Sequence, residues 1–325
     1  MEQHKIDEQY MRRCLQLARC GREGAAPNPM VGAVVVCDGR IIGEGYHQRC
    51  GKAHAEVNAI HSVKDLGLLR RSTIYVSLEP CAHYGKTPPC AKLIIDMGIP
   101  TVVVGCRDPF PKVDGRGIDM LREAGIEVRV GVLEEECLWL NRRFITFHTQ
   151  HRPYITLKWA QSKDAYLDRK RESADEPAAR LSSPTTQALV HRLRALNNAI
   201  LVGRRTWELD RPGLNVRHWT GPDPLRVVLS GSSLSVGDNI IITNSNTDLQ
   251  PLMDRLYEQG IQTLLVEGGA RTLQNFIDQG LWDEARIETS PHYLNDGIPA
   301  PRISGKMGEK LLIGGQTIAY IYKNS

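Results

Sequence analysis

The sequence lacks the features that would assign it to a membrane, an export route or a nucleic acid. No apolar run approaches the ~20 residues that a helix needs to span a bilayer. The N-terminal segment MEQHKIDEQYMRRC has no apolar core of the signal-peptide kind, so we expect a cytoplasmic protein. The net charge of +4 is small, and clusters such as RRFITFHTQHR and DRKRE are short. We therefore expect neither nucleic acid nor membrane as a partner, and small anionic molecules remain open as ligands.

Cysteine is absent from the second half of the chain, because all eight cysteines lie within the first 137 residues. Disulfides are disfavoured in a reducing compartment, so a clustered subset predicts metal binding and the others predict small buried side chains. A chain of 325 residues favours two domains, and the change in composition predicts a boundary near residues 140–152. We expect domains at 1–148 and 149–325.

Both halves alternate helix and strand signals, which predicts an α/β protein whose mixed sheets are covered by helices on both faces. In the first half, Asp38-Gly39 predicts a hairpin turn, and PPCAKLIIDMG predicts a helix with proline at its start. In the second half, Ser183 and Pro184 predict the start of a helix. Two late strands are expected near EARIETS and TIAYIYK, and RKRESADEPAAR is expected to be a polar surface loop.

The stretch LEPCAHYGKTPPC places two cysteines on a segment too rich in proline for regular structure. Together with the upstream HAE it offers His54, Cys81 and Cys90, a set of N and S ligands that suits tetrahedral zinc with its fourth position open. Such a zinc ion makes water a nucleophile at neutral pH, and Glu56, close to the ligands, is placed to move a proton to a leaving amine. The order H-x-E, then P-C and a second cysteine, is that of the zinc deaminases.

The separation of the two cysteines leaves other interpretations open. Eight residues lie between Cys81 and Cys90, whereas the usual deaminase pair is separated by two. Two unconnected buried cysteines, a structural zinc ion or a disulfide would each use the same residues. The combination of HAE, PC and TPPC in this order favours catalytic zinc.

The second half carries two candidate phosphate-binding turns. The strand AILVG delivers Gly203 and then Arg204 and Arg205 to the start of a helix, and VEGGART repeats the strand–glycine–helix pattern. Guanidinium groups and free N–H groups at such points suit the phosphates of a dinucleotide. Because neither turn is a GxGxxG, a Rossmann domain is not supported, and the second turn alone could be an ordinary glycine turn.

The first half of the chain resembles a known family. PNPMVGAVVV, GEGYHQRCGKAHAE, EPCAHYGKTPPC and DPFPKVDGRGIDMLREAGIEV resemble the deaminase half of the bifunctional deaminase–reductases of riboflavin biosynthesis. The resemblance implies a cytidine-deaminase-like α/β/α layered domain that hydrolytically deaminates 2,5-diamino-6-(ribosylamino)pyrimidin-4-one 5'-phosphate. It also implies that the pyrimidine is contacted by Asn28 and His47 and that the sugar phosphate is contacted by His83, Lys86 and Thr87.

The second half resembles the reductase half of the same family, which has a dihydrofolate-reductase-like fold. The resemblance rests on RPYITLKWAQSKD, SSPTTQALVHRLRA, AILVGRRTWELDRPGLNVR and LLVEGGARTL, and it implies NADPH-dependent reduction of the ribosyl group to ribityl. It places Lys158, Asp210 and Glu267 near the reacting sugar, with Lys158 or Asp210 as the proton source. The substrate and its phosphate are expected at Arg194, Leu214, Arg217 and Glu267. NADPH is expected at Ala160, Arg204, Arg205, Thr206, Asp210, Gly269, Ala270, Arg271 and Thr272, with Arg204 and Arg205 favouring NADPH over NADH.

Two positions depart from the reductase pattern. Ala165 stands where the family has glycine in S-x-D-G, and Arg180 stands where it has an aromatic residue before the SSP helix. The first change predicts a shifted turn under the nicotinamide, and the second removes a stacking surface.

Two other functions compete with that of a bifunctional riboflavin-biosynthesis enzyme. One is a nucleoside or tRNA deaminase with an unrelated C-terminal nucleotide-binding domain, and the other is a non-catalytic zinc module fused to a nucleotide sensor. The long cysteine loop and GRRTWE argue against the first, and an unligated Glu56 argues against the second. The family resemblance also predicts a homo-oligomer.

Overall fold

The computed structural model describes residues 2–83, 88–110, 114–230, 240–243 (backbone only) and 248–323. It divides into two compact units, Met1–Gln150 and His151–Ser325. No helix within the described ranges combines the length and the apolar character that crossing a membrane requires.

The first unit is built from alternating helices and strands. Its elements in chain order are α1 (Glu2–Arg19), β1 (Gly32–Cys37), β2 (Arg40–Tyr46), α2 (Ala55–His61), a 3-10 helix (Leu66–Arg71), β3 (Thr73–Leu78), α3 (Cys90–Asp96), β4 (Thr101–Cys106), α4 (Arg116–Glu123), β5 (Glu127–Val130), α5 (Glu134–Leu140) and α6 (Arg142–Gln150).

The sheet of the first unit has the order β2-β1-β3-β4-β5. β1 pairs antiparallel with β2 and β3, whereas β3, β4 and β5 run parallel. The predicted hairpin turn is confirmed, because Asp38 and Gly39 both have positive φ, as a tight two-residue hairpin requires. Apolar residues of α2, α3 and α4 pack on one face of the sheet and those of α1 and α5 on the other. This is the expected α/β/α layering.

The second unit repeats the alternation around a larger sheet. Its elements are β6 (Tyr154–Gln161), β7 (Tyr166–Asp168), α7 (Pro184–Ala195), β8 (Ala199–Gly203), α8 (Arg204–Asp210), β9 (Leu225–Leu229), β10 (Ile240–Thr243), α9 (Gln250–Glu258), β11 (Thr263–Gly268), α10 (Ala270–Asp278), β12 (Glu284–Thr289), β13 (Ile298–Pro299), β14 (Lys306–Ile313) and β15 (Gln316–Tyr322).

The eight-stranded sheet of the second unit has the order β10-β9-β8-β11-β6-β12-β15-β14. The strands from β10 to β12 run parallel, and β15 and β14 complete one edge antiparallel. Helices α9 and α10 contribute to the core on one face, and α7 and α8 contact the smaller core on the other. Ser183 and Thr186 form a capping box that begins α7, which confirms the predicted helix start. The carboxyl ends of the parallel strands therefore open at one edge, where α/β sheets bind ligands.

Two parts of the second unit differ from the sequence-based expectation. Between the two late strands that were expected, β12 and β15, the chain forms two more, β13 and β14, and the side chains of β14 are mostly exposed. The loop RKRESADEPAAR is not polar surface throughout, because Arg171 is only 7% exposed and pairs with Asp168 and Asp210. The contact with Asp210, 39 residues away in sequence, leaves no local pattern that would predict this burial.

Candidate active sites

The side chains of His54, Cys81 and Cys90 converge beyond the end of β3. His54 Nδ1 lies 3.6 Å from Cys81 Sγ and 3.4 Å from Cys90 Sγ, and one ligand atom from each residue lies within 4.8 Å of the others. His54 immediately precedes α2, and Cys90 begins α3. Two sulfur atoms and one imidazole nitrogen are a donor set that fits zinc with an open fourth position.

The two cysteines of this cluster differ in their readiness to ionise. Hydrogen bonds from the Cys90 thiol and from His54 hold the pKa of Cys81 well below its usual value, although burial opposes this. The pKa of the Cys90 thiol is raised, chiefly because the thiol donates a hydrogen bond to Cys81 and also because it is buried. The backbone N–H of Cys90 also donates to Cys81 Sγ at 3.3 Å. The cluster thus favours thiolate, the form of cysteine that binds metal, at Cys81.

Glu56 lies one residue beyond the start of α2 and is 3% exposed. Burial, followed by the negative charge of Cys81, raises the pKa of Glu56 to about 7. The Cys90 thiol also affects the pKa of Glu56, and Glu56 that of Cys90, so the carboxyl group lies beside the cluster. A carboxyl group with a pKa near neutrality is suited to accept a proton and release it again.

His47 and Asn28 form a second pair beside the cluster. His47 Nδ1 lies 3.1 Å from the Ala53 carbonyl oxygen, which can only accept, so Nδ1 carries the proton. Nε2 then accepts a hydrogen bond from Asn28 Nδ2 at 3.1 Å. The His47 ring stands edge-on to His54 with centroids 5.4 Å apart, and burial lowers the pKa of His47. A neutral, fixed imidazole thus flanks the cluster.

Glu79, which the sequence did not single out, holds the segment that leads to Cys81. Its carboxylate is buried and accepts from the backbone N–H groups of Gly115 and Gly117 at 3.0 and 2.9 Å, at the start of α4. Gly117 packs so closely on Pro80 that an added Cβ would lie 1.9 Å from the Pro80 carbonyl oxygen. The glycine and the carboxylate together fix the backbone immediately before Cys81.

The expected phosphate contacts are only partly covered by the structure. His83 is exposed on the loop that follows Cys81. Lys86 and Thr87 lie outside the described residues. On the neighbouring loop after β4, burial raises the pKa of Asp108 to about 6, and its carboxylate accepts a hydrogen bond from Phe110 N at 2.9 Å.

The second unit contains a cavity of about 1650 Å³ at the carboxyl ends of its parallel strands. It brings together nearly all the residues expected at the reductase site: Lys158, Ala160, Arg194, Arg204, Arg205, Thr206, Asp210, Arg217, Glu267, Gly269, Ala270, Arg271 and Thr272. Leu214 is the exception, because its side chain is 1% exposed and packs with Ile200 and Val202. Arg180, which stands where the family has an aromatic residue, also lines this cavity.

A buried ion pair lies on the wall of this cavity. Arg194 Nε and Nη2 donate to the two carboxylate oxygens of Glu267 at 2.9 and 2.7 Å, and Arg194 Nη1 donates to the Asn215 carbonyl. Burial alone would raise the pKa of Glu267, but Arg194 outweighs it and, with Lys158, lowers the pKa below its usual value. Glu267 is therefore an anion held next to Lys158.

Glycines give the other end of the cavity the close backbone approach that a dinucleotide needs. A Cβ on Gly203 would lie 2.3 Å from Thr272 Oγ1, and one on Gly269 would lie 3.1 Å from Thr206 Oγ1. Gly203 directly precedes α8, and Gly269 directly precedes α10. The first backbone N–H groups of both helices, which have no partner within the helix, therefore lie at this end of the cavity. This cradle fits the pyrophosphate of a nicotinamide dinucleotide.

The two arginines at the start of α8 already have partners within the unit. Arg204 Nε donates to Glu208 at 2.7 Å, and Arg205 Nη2 donates to the Arg171 carbonyl oxygen at 2.7 Å. Arg171 in turn binds the carboxylate of Asp210. Arg171 thus ties the loop after β7 to α8, a role that its sequence context did not indicate.

His191 also lines the cavity, and the sequence motifs did not identify it as a candidate site residue. Its Nδ1 accepts from Arg217 N at 3.0 Å, which places the proton on Nε2 of the neutral ring. Burial, followed by the charge of Arg194, lowers the pKa of His191. The only sequence signal is its position one turn before Arg194 on the same helix face.

Comparison with known proteins separates the same two units. Residues 4–106 match the family model of the cytidine and deoxycytidylate deaminase zinc-binding region, and residues 153–311 match that of the RibD C-terminal domain. The second match gives no support to an unrelated C-terminal domain.

Relatives match over most of their length. The riboflavin biosynthesis protein RibD of Aquifex aeolicus is 39% identical, with 90% of this chain and 89% of the relative covered, and that of Escherichia coli is 34% identical, with 89% and 88% covered. The crystal structure of a diaminohydroxyphosphoribosylaminopyrimidine deaminase/5-amino-6-(5-phosphoribosylamino)uracil reductase from Thermotoga maritima is similar with a TM-score of 0.86, 33% identity and coverage of 99% of this chain and 100% of that chain. The chain therefore belongs to the RibD family, the riboflavin biosynthesis enzymes that combine a zinc-dependent deaminase with an NADPH-dependent reductase.

Proposed function

We propose that the unit Met1–Gln150 deaminates 2,5-diamino-6-(ribosylamino)pyrimidin-4-one 5'-phosphate and that the unit His151–Ser325 then reduces the ribosyl group of the product to ribityl phosphate. The convergence of His54, Cys81 and Cys90 around a buried Glu56 carries this proposal. The activities that the Thermotoga maritima protein is named for support the choice of substrate.

In the deaminase unit, His54, Cys81 and Cys90 would hold zinc, which makes water nucleophilic at neutral pH. Glu56 takes the proton that the water loses and passes it to the departing amino group. Its pKa of about 7 allows both transfers. His47 and Asn28 orient the pyrimidine from the side of the cluster on which the His47 ring packs against the His54 ring. His83, with Lys86 and Thr87, contacts the sugar phosphate.

In the reductase unit, NADPH would supply the hydride, and its phosphates would lie on the glycine cradle. Thr206, Gly269, Ala270, Arg271 and Thr272 hold this nucleotide, and Ala160 lies at the same cavity wall. Arg204 and Arg205, both exposed at the start of α8, select the additional phosphate of NADPH over NADH.

Of the two candidate proton sources, we favour Lys158. Its side chain lines the cavity beside the anionic Glu267, whereas the carboxylate of Asp210 is bound by Arg171. Asp210 accordingly holds the cofactor side of the cavity together with Arg171. Arg194 fixes Glu267, Arg217 binds the substrate phosphate, and Leu214 contributes through its backbone, because its side chain belongs to the core.

Cytoplasmic location, self-association and the absence of nucleic-acid or membrane partners also belong to this proposal. The preference for a reducing compartment rests on Cys81 and Cys90, which are grouped with His54 as candidate metal ligands. Met307 and Leu312 on the edge strand β14 are exposed apolar residues suited to contact with a second copy. Light scattering of the purified protein tests the oligomeric state.

Product analysis by mass spectrometry tests the proposed sequence of reactions. We expect the diaminopyrimidinone phosphate alone to exchange one amino group for oxygen, and addition of NADPH to add two hydrogen atoms to the deaminated product. Reduction without prior deamination, or deamination of cytidine or adenosine at a comparable rate, would contradict the proposed substrate.

A further inference from the structure

Two buried charged residues on β12 lie directly beside the lysine of the reductase site. Resting on the proton-donor role of Lys158 proposed above, we propose that Arg286 and Glu288 are positioning residues for the reduction: together they set the electrostatic environment in which the Lys158 ammonium group releases its proton and becomes the amine. Neither residue lines the cavity, so neither is expected to touch substrate or NADPH.

The register of the sheet places these residues on the same face as Lys158. β12 runs parallel to β6, with Arg286 opposite Lys158 and Glu288 opposite Ala160. Residues two apart on a strand share a face, so Arg286 and Glu288 both point to the side of Lys158. The alternating residues Ala285 and Ile287 belong to the core on the other face.

Burial makes the two charges effective at short range. Arg286 is 2% exposed and Glu288 is fully buried. Glu288 Oε1 accepts from Thr186 Oγ1 at 2.6 Å, whereas Glu288 Oε2 and both terminal nitrogens of Arg286 have no hydrogen-bond partner among the described residues. No ion pair within 4.0 Å joins Arg286 to a described carboxylate. Buried charges that are not neutralised by direct contact act strongly on their neighbours.

Lys158 is surrounded by charged groups from three elements: Glu267 on β11, Arg194 on α7, and Arg286 and Glu288 on β12. Burial lowers the pKa of Lys158 most, Arg286 and Arg194 lower it further, and Glu267 and Glu288 raise it. Arg194 and Glu267 neutralise each other in their bidentate pair. Arg286 and Glu288 are a second pair of opposite charges that acts on the Lys158 ammonium group, separate from the Arg194–Glu267 ion pair.

This arrangement predicts opposite effects for two substitutions. Arg286→Met removes a positive charge near the amine, so the basic limb of the reductase pH–rate profile moves to higher pH by about one unit. Glu288→Gln retains the Thr186 hydrogen bond but removes a negative charge, so the limb moves to lower pH by about as much. Arg286→Lys retains the positive charge, so we expect the basic limb of the pH–rate profile to stay where it is in the unmodified protein. The assay follows NADPH oxidation with 5-amino-6-(5-phosphoribosylamino)uracil as substrate.

The deaminase activity of the same molecules is the internal control. We expect it to match that of the unmodified protein in all three variants, because the changes lie in the other unit. A shift in the same direction for Arg286→Met and Glu288→Gln, or no shift in either, would overturn the proposal. If Arg286→Met does not fold, the nearly isosteric Glu288→Gln decides the question alone.

A further variant distinguishes failure of this inference from failure of the proposed function. Lys158→Met is expected to bind NADPH with unchanged affinity but to lose reduction. If Lys158→Met still reduces substrate, the proton-donor role is wrong and the inference falls with it. If Lys158→Met is inactive while the limb stays fixed in the two charge variants, only the role of Arg286 and Glu288 is wrong.

Discussion

Arg194 and Glu267 form a two-point ion pair that joins α7 to the end of β11. Both side chains are largely buried, at 12% and 9% exposure, and two parallel hydrogen bonds fix their relative orientation. Because Glu267 lies beside Lys158, the pair sets the position of the only acidic group among the proposed substrate contacts. Its integrity is therefore expected to decide both stability and reductase activity.

Arg194→Gln should damage the reductase unit alone. Leaving Glu267 buried without its partner costs about 3–5 kcal/mol of unfolding free energy. We expect reductase kcat/KM to fall about a hundredfold through misplacement of the substrate, while deamination persists. Arg255→Gln, on an exposed position of α9, is the matched control and should change neither quantity. Equal reductase activity in the two variants would contradict this role of the pair.

Acid should weaken the same pair. The pKa of folded Glu267 lies below its ordinary value of 4.5, so the pair stabilises fully above that value and its contribution is lost as the pH falls through the folded pKa. The difference in unfolding free energy between the unmodified protein and Glu267→Gln should therefore shrink below pH 4.5. Denaturation followed by tryptophan fluorescence suits this test, since four of the five tryptophans lie in the second unit. A difference that stays constant on acidification would rule out the expected linkage.

Ala165→Gly should stabilise the second unit. Ala165 has φ of +63°, a conformation that costs residues with a side chain about 1–2 kcal/mol and glycine almost nothing. The turn forms nevertheless, with Ala165 N donating to the Ser162 carbonyl at 3.0 Å. Because glycine also adds freedom to the unfolded chain, we expect a net gain of about 0.5–1 kcal/mol. Denaturant titration measures it, and a loss of stability would show that the turn is not strained.

Gly117→Ala should impair deamination through the backbone before Cys81. The new Cβ would overlap the Pro80 carbonyl oxygen at 1.9 Å, so this segment must move. We expect lower zinc content and at least about a tenfold loss of deaminase kcat. Gly125→Ala is the control, because its φ of +80° strains the backbone while nothing lies within 4 Å of the new Cβ. It should lose stability but keep zinc; equal zinc loss in both variants would point to general destabilisation.

Local signals account for what the sequence could predict. The hairpin at Asp38-Gly39 and the helix start at Ser183 depend on neighbouring residues only, and both form as expected. His54, Cys81 and Cys90 could be named because zinc requires particular ligand types and the order of the motif restricts their identity.

The missed residues act through contacts that are distant in sequence. From the sequence alone, Glu79 is the end of a strand and Arg171 is a surface residue. Their roles appear only in the fold, where Gly115 and Gly117 donate to the Glu79 carboxylate and Asp210 pairs with Arg171. Leu214 was expected at the substrate, yet its side chain packs in the core, which the motif alone does not reveal. Similarly, β14 has a weak apolar pattern because it is an exposed edge strand.

Measurement of bound zinc and ammonia release in Glu56→Gln tests the central claim most directly. The substitution keeps the shape of the side chain and removes its ability to carry the proton, so zinc per chain should equal that of the unmodified protein while deamination falls by a factor of about 100 to 10,000. Cys81→Ser and Cys90→Ser, measured alongside, should lose zinc. Full ammonia release by Glu56→Gln, or an unchanged zinc content in the two serine variants, would contradict the account.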